Sequence, residues 1–301
     1  MEVAVLGSAA GGGFPQWNSN AAACRRARAG DPAATPRTQA GIAVSADGER
    51  WVLIGASPDL PEQIRRSPFL WPRGNAARSS PIAAVVLTGA DVDAVAGLLT
   101  LRERQPFDLL ATGKVLAVLD GNPIFEVLAR DVVDRRAVAL DSAINVSGLT
   151  VELFAVRGKG PLYLEGRDGV AHVADESTVG ARIRDERSSV FYIPSCAAMT
   201  GDLAERLTGA DLVFFDGTLW RDDEMIAAGL GSKSGARMGH MSLSGPDGVL
   251  AAFEGIDIPR KLLIHLNNSN PVLLADSPER AEVEARGWEV AYDGLRLCLP
   301  S

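Results

Sequence analysis

Three apolar runs in this chain end in groups that can do chemistry. PIAAVVL, residues 81–87, leads into TGADVDAVAG, residues 88–97, which carries Asp91 and Asp93. DLVFF, residues 211–215, hands over to Asp216-Gly217-Thr218. KLLIHL, residues 261–266, carries His265 and runs on into Asn267-Asn268. Strand C-terminal ends are where α/β proteins gather functional groups, and the apolar context puts each group at the rim of a core. Carboxylates and imidazoles collected from such ends can hold a divalent cation. Two histidines with one or two carboxylates and open positions suit non-haem iron, whereas three ligands plus a water suit zinc. The chain has only three histidines, His172, His240 and His265.

Each group also has a plainer local explanation. Asp91 or Asp93 can cap the helix that Val95-Ala96 begins. Asp216 before Gly-Thr can close an Asx-turn, and His265 can be a hydrogen-bonded core histidine. His172 sits in a polar stretch and reads as solvated. Cys196, after Pro194-Ser195, reads as a small buried residue rather than a nucleophile, because no base is placed beside it. GSAAGGGFP, residues 7–15, is not a G-x-G-x-x-G turn and no acid follows at the ribose-binding distance, which argues against a dinucleotide.

The elements that must position these groups alternate strands and helices. Strands are expected at 2–6, 41–44, 51–54, 82–87, 114–119, 149–156, 161–165, 188–193, 211–215, 261–266 and 288–291. The pair 41–44 and 51–54 flanks a hairpin turn at Asp47-Gly48. Helices are expected at 91–103, where Val92, Val95, Leu98 and Leu99 share a face, and at 123–128, 202–207, 246–253 and 277–287, the last capped by Ser277. Stretches 21–38, 172–178 and 229–239 read as surface loops. No Pro/Gly/Ser linker splits the 301 residues, so one domain over 1–301 is expected, with two β-rich halves packed together and helices outside.

Composition narrows the function. The chain is 47% hydrophobic and 23% charged, ordinary for a globular protein. Its formal net charge is -8 despite the Arg25-Arg26-Ala27-Arg28 cluster, which speaks against a nucleic-acid partner. No apolar run approaches the ~18 residues that span a bilayer, so membrane insertion is not expected. Three scattered cysteines, Cys24, Cys196 and Cys298, fit a reducing, cytoplasmic setting better than a disulfide framework. The N-terminal MEVAVLGSAAGGG reads as a strand into a glycine-rich turn rather than a signal peptide.

The ordered blocks GSAAGGGFPQWN (7–18), ASPDL (56–60), LTGADVDAVAGLLTLRE (87–103), TVGARI (178–183), FYIPSCA (191–197), FFDGTLWRDDEM (214–225), MGHMSLSG (238–245) and IHLNNSNPVL (264–273) extend over essentially the whole chain. In this order the sequence resembles the pyrroloquinoline quinone biosynthesis protein B family of the metallo-β-lactamase-fold superfamily. The resemblance implies an α/β (α+β) fold, a four-layer αββα sandwich. The superfamily's T-H-x-H-x-D-H-x-x-G metal motif reads Thr88-Gly89-Ala90-Asp91-Val92-Asp93-Ala94-Val95-Ala96-Gly97 here. The family lacks the first two histidines and normally keeps the Asp-His pair; this chain keeps Asp93 and has Ala94 in place of the histidine. The family's C-x-C-x-x-C element falls on Ser19, Ala21 and Cys24. One thiolate is not a structural zinc site, so Cys24 reads as an isolated thiol.

By the same resemblance Asp216 matches the bridging aspartate, His265 the late metal histidine and His240 a site histidine at the end of a loop. With Asp93 they form the expected metal set, with Asp93 and His240 as the catalytic pair and Fe(II) as the expected cofactor. The implied role lies in making the redox cofactor pyrroloquinoline quinone, through iron- and oxygen-dependent hydroxylation of the tyrosine part of a peptide-derived glutamate–tyrosine precursor. Arg102, Lys159 and Arg237 are candidate donors to the substrate's carboxylates. The expected partners are a small peptide-derived or quinone substrate and other enzymes of that pathway. The rival reading is a non-catalytic binding or carrier protein that has lost metal ligands and assists transport toward the periplasm. A metal-dependent hydrolase ranks third, because it would want the H-x-H pair that positions a metal-bound hydroxide.

Overall fold

A computed structural model describes residues 1–164 and 173–300. Six strands form the first half: β1 (Glu2–Gly7), β2 (Gly41–Ser45), β3 (Trp51–Ile54), β4 (Ile82–Val86), β5 (Phe107–Ala111) and β6 (Val133–Ala137). Seven follow: β7 (Ala143–Val146), β8 (Leu149–Gly158), β9 (Val173–Arg184), β10 (Ser189–Ile193), β11 (Leu212–Asp216), β12 (Arg260–Ile264) and β13 (Glu289–Val290). A last strand, β14 (Arg296–Cys298), returns to the first sheet and pairs antiparallel with β1. Among the described residues the sheet orders are β14-β1-β2-β3-β4-β5-β6 and β13-β12-β11-β10-β9-β8-β7.

Period-two alternation explains the layering. In β1, Val3 and Val5 face the space between the sheets, where they join Ile42, Val44, Val86, Val151, Ile183, Val190, Phe214 and Ile264. Their neighbours Ala4 and Leu6 face outward and pack with Leu53, Val85 and Leu109 under Leu60, Leu98, Val115 and Leu119 from helical segments. On the other outer face Phe191, Val213, Phe215 and Leu263 pack under Leu203, Leu207, Leu250 and Val283. Because both faces of both sheets are covered, strands such as β4 and β11 are continuously apolar. The result is the four-layer αββα sandwich.

Several local expectations are corrected. Residues 114–119 form the helix Gly113–Asp120, not a strand; the Thr112 side chain caps it at Val115 N, and Val115, Leu116 and Leu119 make its buried stripe. The run KVLAVL carries both periods, and the cap decides. Residues 172–178 were expected as a loop, but β9 begins at Val173. Its exposed first residues Val173 and Ala174 pair with Gly158 and Arg157 of β8, and the polar stretch 175–178 falls in a register shift between the two strands. The expected strand at 161–165 contains a 3-10 turn, Leu162–Leu164; residue 165 and His172 lie outside the described residues. The expected helix at 91–103 is one α-turn, Val92–Val95, followed by a 3-10 segment, Ala96–Leu101. Gly97 sits where a Cβ would lie 2.1 Å from the Ser57 carbonyl oxygen, so the segment is pressed against the chain that leaves β3. Strands β5, β6, β7 and β14 have no counterpart in the sequence expectations.

Candidate metal centre

Four predicted site residues converge at one edge of the sandwich. Asp93 lies in the helical turn after β4, Asp216 ends β11, His265 follows β12, and His240 follows the short helix Gly235–Met238. Donor atoms of Asp216, His240 and His265 all lie within 4.8 Å of one another. The two imidazoles stack, with ring centroids 5.4 Å apart. His265 Nε2 is 2.9 Å from Asp93 Oδ2, and His240 Nδ1 is 2.7 Å from Asp216 Oδ2.

The backbone is bent to make this possible. His265 has φ 60°, in the left-handed region, which costs a residue with a Cβ roughly 1–2 kcal/mol. The bend is held by parallel bridging of the next residue: Leu266 N donates to Ser8 O and Leu266 O accepts from Ala10 N. Gly239, with φ 88°, closes the helix before His240 and supplies the positive φ there without that cost.

Asp216 is fully buried and its carboxylate accepts four hydrogen bonds: from Thr218 N and Thr218 Oγ1 on Oδ1, and from Cys196 N and His240 Nδ1 on Oδ2. The Thr218 hydroxyl is the hub, a residue that sequence reasoning passed over as part of a turn. Its oxygen lies 2.6 Å from Asp216 Oδ1, 2.9 Å from His265 Nδ1 and 3.1 Å from His240 Nδ1. A carboxylate can only accept, so the threonine proton goes to Asp216. The threonine oxygen is then available to accept from His265 Nδ1, while the Nδ1–H of His240 goes to the closer Asp216 Oδ2. On its other side the His265 ring presents Nε2 to the Asp93 carboxylate, which can only accept. Burial alone would lower the His265 pKa, but the Asp93 carboxylate overrides it and holds the ring above the ordinary histidine range. Burial likewise opposes ionisation of Asp93, and bonding to His265 outweighs it and holds that carboxyl below its usual range.

The donor set fits a divalent cation. Each imidazole already faces a carboxylate across a shared proton, and a cation would take the place of such a proton. Thr218 and Cys196 N form the outer shell that orients the ligands. Burial, with Asp216 adding, pushes the Cys196 thiol up to about 12, so Cys196 serves through its backbone rather than as a nucleophile. Asp91 occupies the N-cap position but its side chain does not cap the helix.

The cluster opens into a cavity of about 350 Å³. Ala94 lines it beside Asp93, as does Lys159 at the end of β8. The amides of Gln16, Asn267 and Asn268 form one wall, ordered by Asn268 Nδ2 donating to Gln16 Oε1 and by Asn267 Nδ2 donating to Ser269, which in turn donates to the buried Glu224. Arg237 lies on the helix before His240, and Arg102 is exposed beside Glu103; neither is among the cavity-lining residues described. Cys24 is buried in the helix Ala22–Arg28 and its thiol faces Asn268 Oδ1 at 3.7 Å.

Two sheets with outer helices and a His/Asp cluster at the strand ends define a metallo-β-lactamase-fold protein, and the beta-lactamase superfamily domain matches residues 50–266. Curated relatives refine the class. Coenzyme PQQ synthesis protein B of Gluconacetobacter diazotrophicus is 59% identical, with 99% of both chains covered. Its counterpart in Xanthomonas campestris is 54% identical over 99% of this chain and 100% of its own. The crystal structure of Zn(2+)-bound PqqB from Methylobacterium extorquens superposes with a TM-score of 0.97 at 52% identity, covering 99% of this chain and 100% of that one. A diphosphatase of the PhnP family, 22% identical with a TM-score of 0.71 over 99% of this chain and 98% of its own, shares the fold. The chain belongs to the coenzyme PQQ synthesis protein B family.

Proposed function

We propose that this chain hydroxylates the tyrosine part of a peptide-derived glutamate–tyrosine precursor, using dioxygen and an Fe(II) ion. The observation that carries the reading is the convergence of His240, His265 and Asp216, with Asp93 behind His265, on a cavity large enough for a small molecule. Two imidazoles with carboxylates and room for further ligands is the donor set of non-haem iron oxygenases. Iron held there supplies one-electron chemistry and activation of dioxygen. The protein's part is to orient the histidines through Thr218, to shield the site, and to shuttle protons at His240 and Asp93. Lys159, which lines the cavity, is the proposed donor to a substrate carboxylate. Full-length similarity to coenzyme PQQ synthesis proteins supports the pathway. Zinc is the metal of the relative from Methylobacterium; iron in this chain is part of the proposal, as are the cytoplasmic setting and contact with other enzymes of the pathway.

One observation favours a second reading. Ala94, at the position where the resemblance expects a histidine, presents only a methyl group to the cavity. A chain that binds the precursor or the quinone without turnover would tolerate that loss. Oxygen uptake separates the two. Anaerobically Fe(II)-loaded protein with a glutamate–tyrosine compound and ascorbate is expected to consume dioxygen and yield a product heavier by one oxygen atom. Binding of the compound with no uptake would replace the hydroxylase by the carrier.

A further inference from the structure

The motif FYIPSCA places Tyr192 near the end of β10, in the inter-sheet core and on the wall of the cavity. The residue is only 2% exposed, and its ring packs against Phe214, with centroids 6.5 Å apart. Among the described residues no hydrogen bond reaches its hydroxyl, and the oxygen is not one of the sealed, unpartnered side-chain atoms, so it is open to the cavity. A phenol in an apolar core ordinarily finds a partner; this one has none among the described residues and faces the cavity instead. The surrounding wall is small and apolar: Ala10, Ala40, Gly55 and Val179. This apolar part of the wall accepts a flat ring, and the Tyr192 hydroxyl joins the polar groups of Gln16, Thr88, Thr178 and Asn268 that the same cavity offers. Burial keeps the phenol protonated, so it is available as a donor.

We propose that Tyr192 contacts the substrate directly, its hydroxyl donating a hydrogen bond to a ring oxygen of an aromatic ligand seated between the ends of the two sheets. The ligand class, a phenol or catechol, rests on the hydroxylase reading above; the unpaired hydroxyl does not. The test is titration of 4-nitrocatechol, followed by absorbance, into wild type and Tyr192→Phe, each as purified and after EDTA treatment. The EDTA arm removes metal chelation from the comparison. Tyr192→Phe is expected to bind about tenfold more weakly in that arm, with a Tm without ligand equal to or above that of wild type. Equal affinities overturn the proposal, as does absence of binding by both proteins. A lowered Tm with unchanged affinity would assign the hydroxyl a structural role instead. If Fe(II)-loaded wild type takes up no oxygen, the hydroxylase reading falls while a Tyr192-dependent binding result stands.

Discussion

The cluster of Asp93, Asp216, His240 and His265 and the loop around Cys24 are two regions where the family resemblance expects metal, and they have diverged. The cluster retains four donors on four separate segments, each turned toward another donor. The loop retains one thiol, sealed against Asn268, with Ser19 and Ala21 in place of cysteines. Protein contacts hold the loop instead. Arg28 donates to the carbonyls of Ser19 and Gln16, Arg25 to that of Asn20, and Arg26 to Asp31 and Asp276. The basic cluster seen in the sequence thus clamps the loop to its own carbonyls and to Asp31 and Asp276. The difference has a physical origin. A metal that only staples a loop can be replaced by hydrogen bonds and packing, whereas a cluster whose donors must meet a substrate cannot be replaced in that way.

The largest expected effect tests whether the cluster is one unit. Asp216→Ala leaves Thr218, Cys196 N and His240 without their common acceptor. We expect a loss of roughly 3 kcal/mol or more in urea unfolding, together with loss of metal. A stability near wild type would mean that the four bonds do not organise the site. Next in size is the hub. Thr218→Val keeps the shape but removes the hydroxyl, and metal affinity is expected to fall about 10–100-fold, with Thr218→Ser restoring most of it. Equal affinities in competition with a chelating dye would count against the hub.

A smaller effect is the pH dependence of the metal-free protein. Asp93 has a depressed pKa, so its contribution is present above the unfolded value, about 3.9, and is lost as pH falls through the folded one. His265 has a raised pKa, so its contribution is present below the unfolded value, about 6.5, and is lost as pH rises through the folded one. Wild type should therefore gain most over Asp93→Asn between these unfolded values. Parallel stability profiles for the two proteins would refute the pairing. The smallest effect belongs to the clamp. Arg28→Ala should lower Tm by roughly 2–4 °C and leave metal content unchanged; a fall in metal content would erase the contrast between the two regions.

Much of this was legible in the sequence for a local reason. Asp93, Asp216 and His265 each follow an apolar run, and burial on both faces is what makes β4 and β11 continuous runs. His240 follows no such run and was reached only through the family resemblance. Thr218 and Tyr192 were missed because their roles depend on what folding brings to them: two histidines from distant segments in one case, a place on the cavity wall in the other. The helix Gly113–Asp120 escapes the pattern because KVLAVL satisfies both periods, and the start of β9 because its polar stretch 175–178 falls in a register shift against β8.

The most direct test of the central claim is metal content by elemental mass spectrometry. Wild type, His265→Ala and Cys24→Ala would be purified without chelator and loaded anaerobically with Fe(II). The account predicts near-stoichiometric metal in wild type and Cys24→Ala, and loss in His265→Ala. Metal absent from wild type, or retained by His265→Ala, would contradict it.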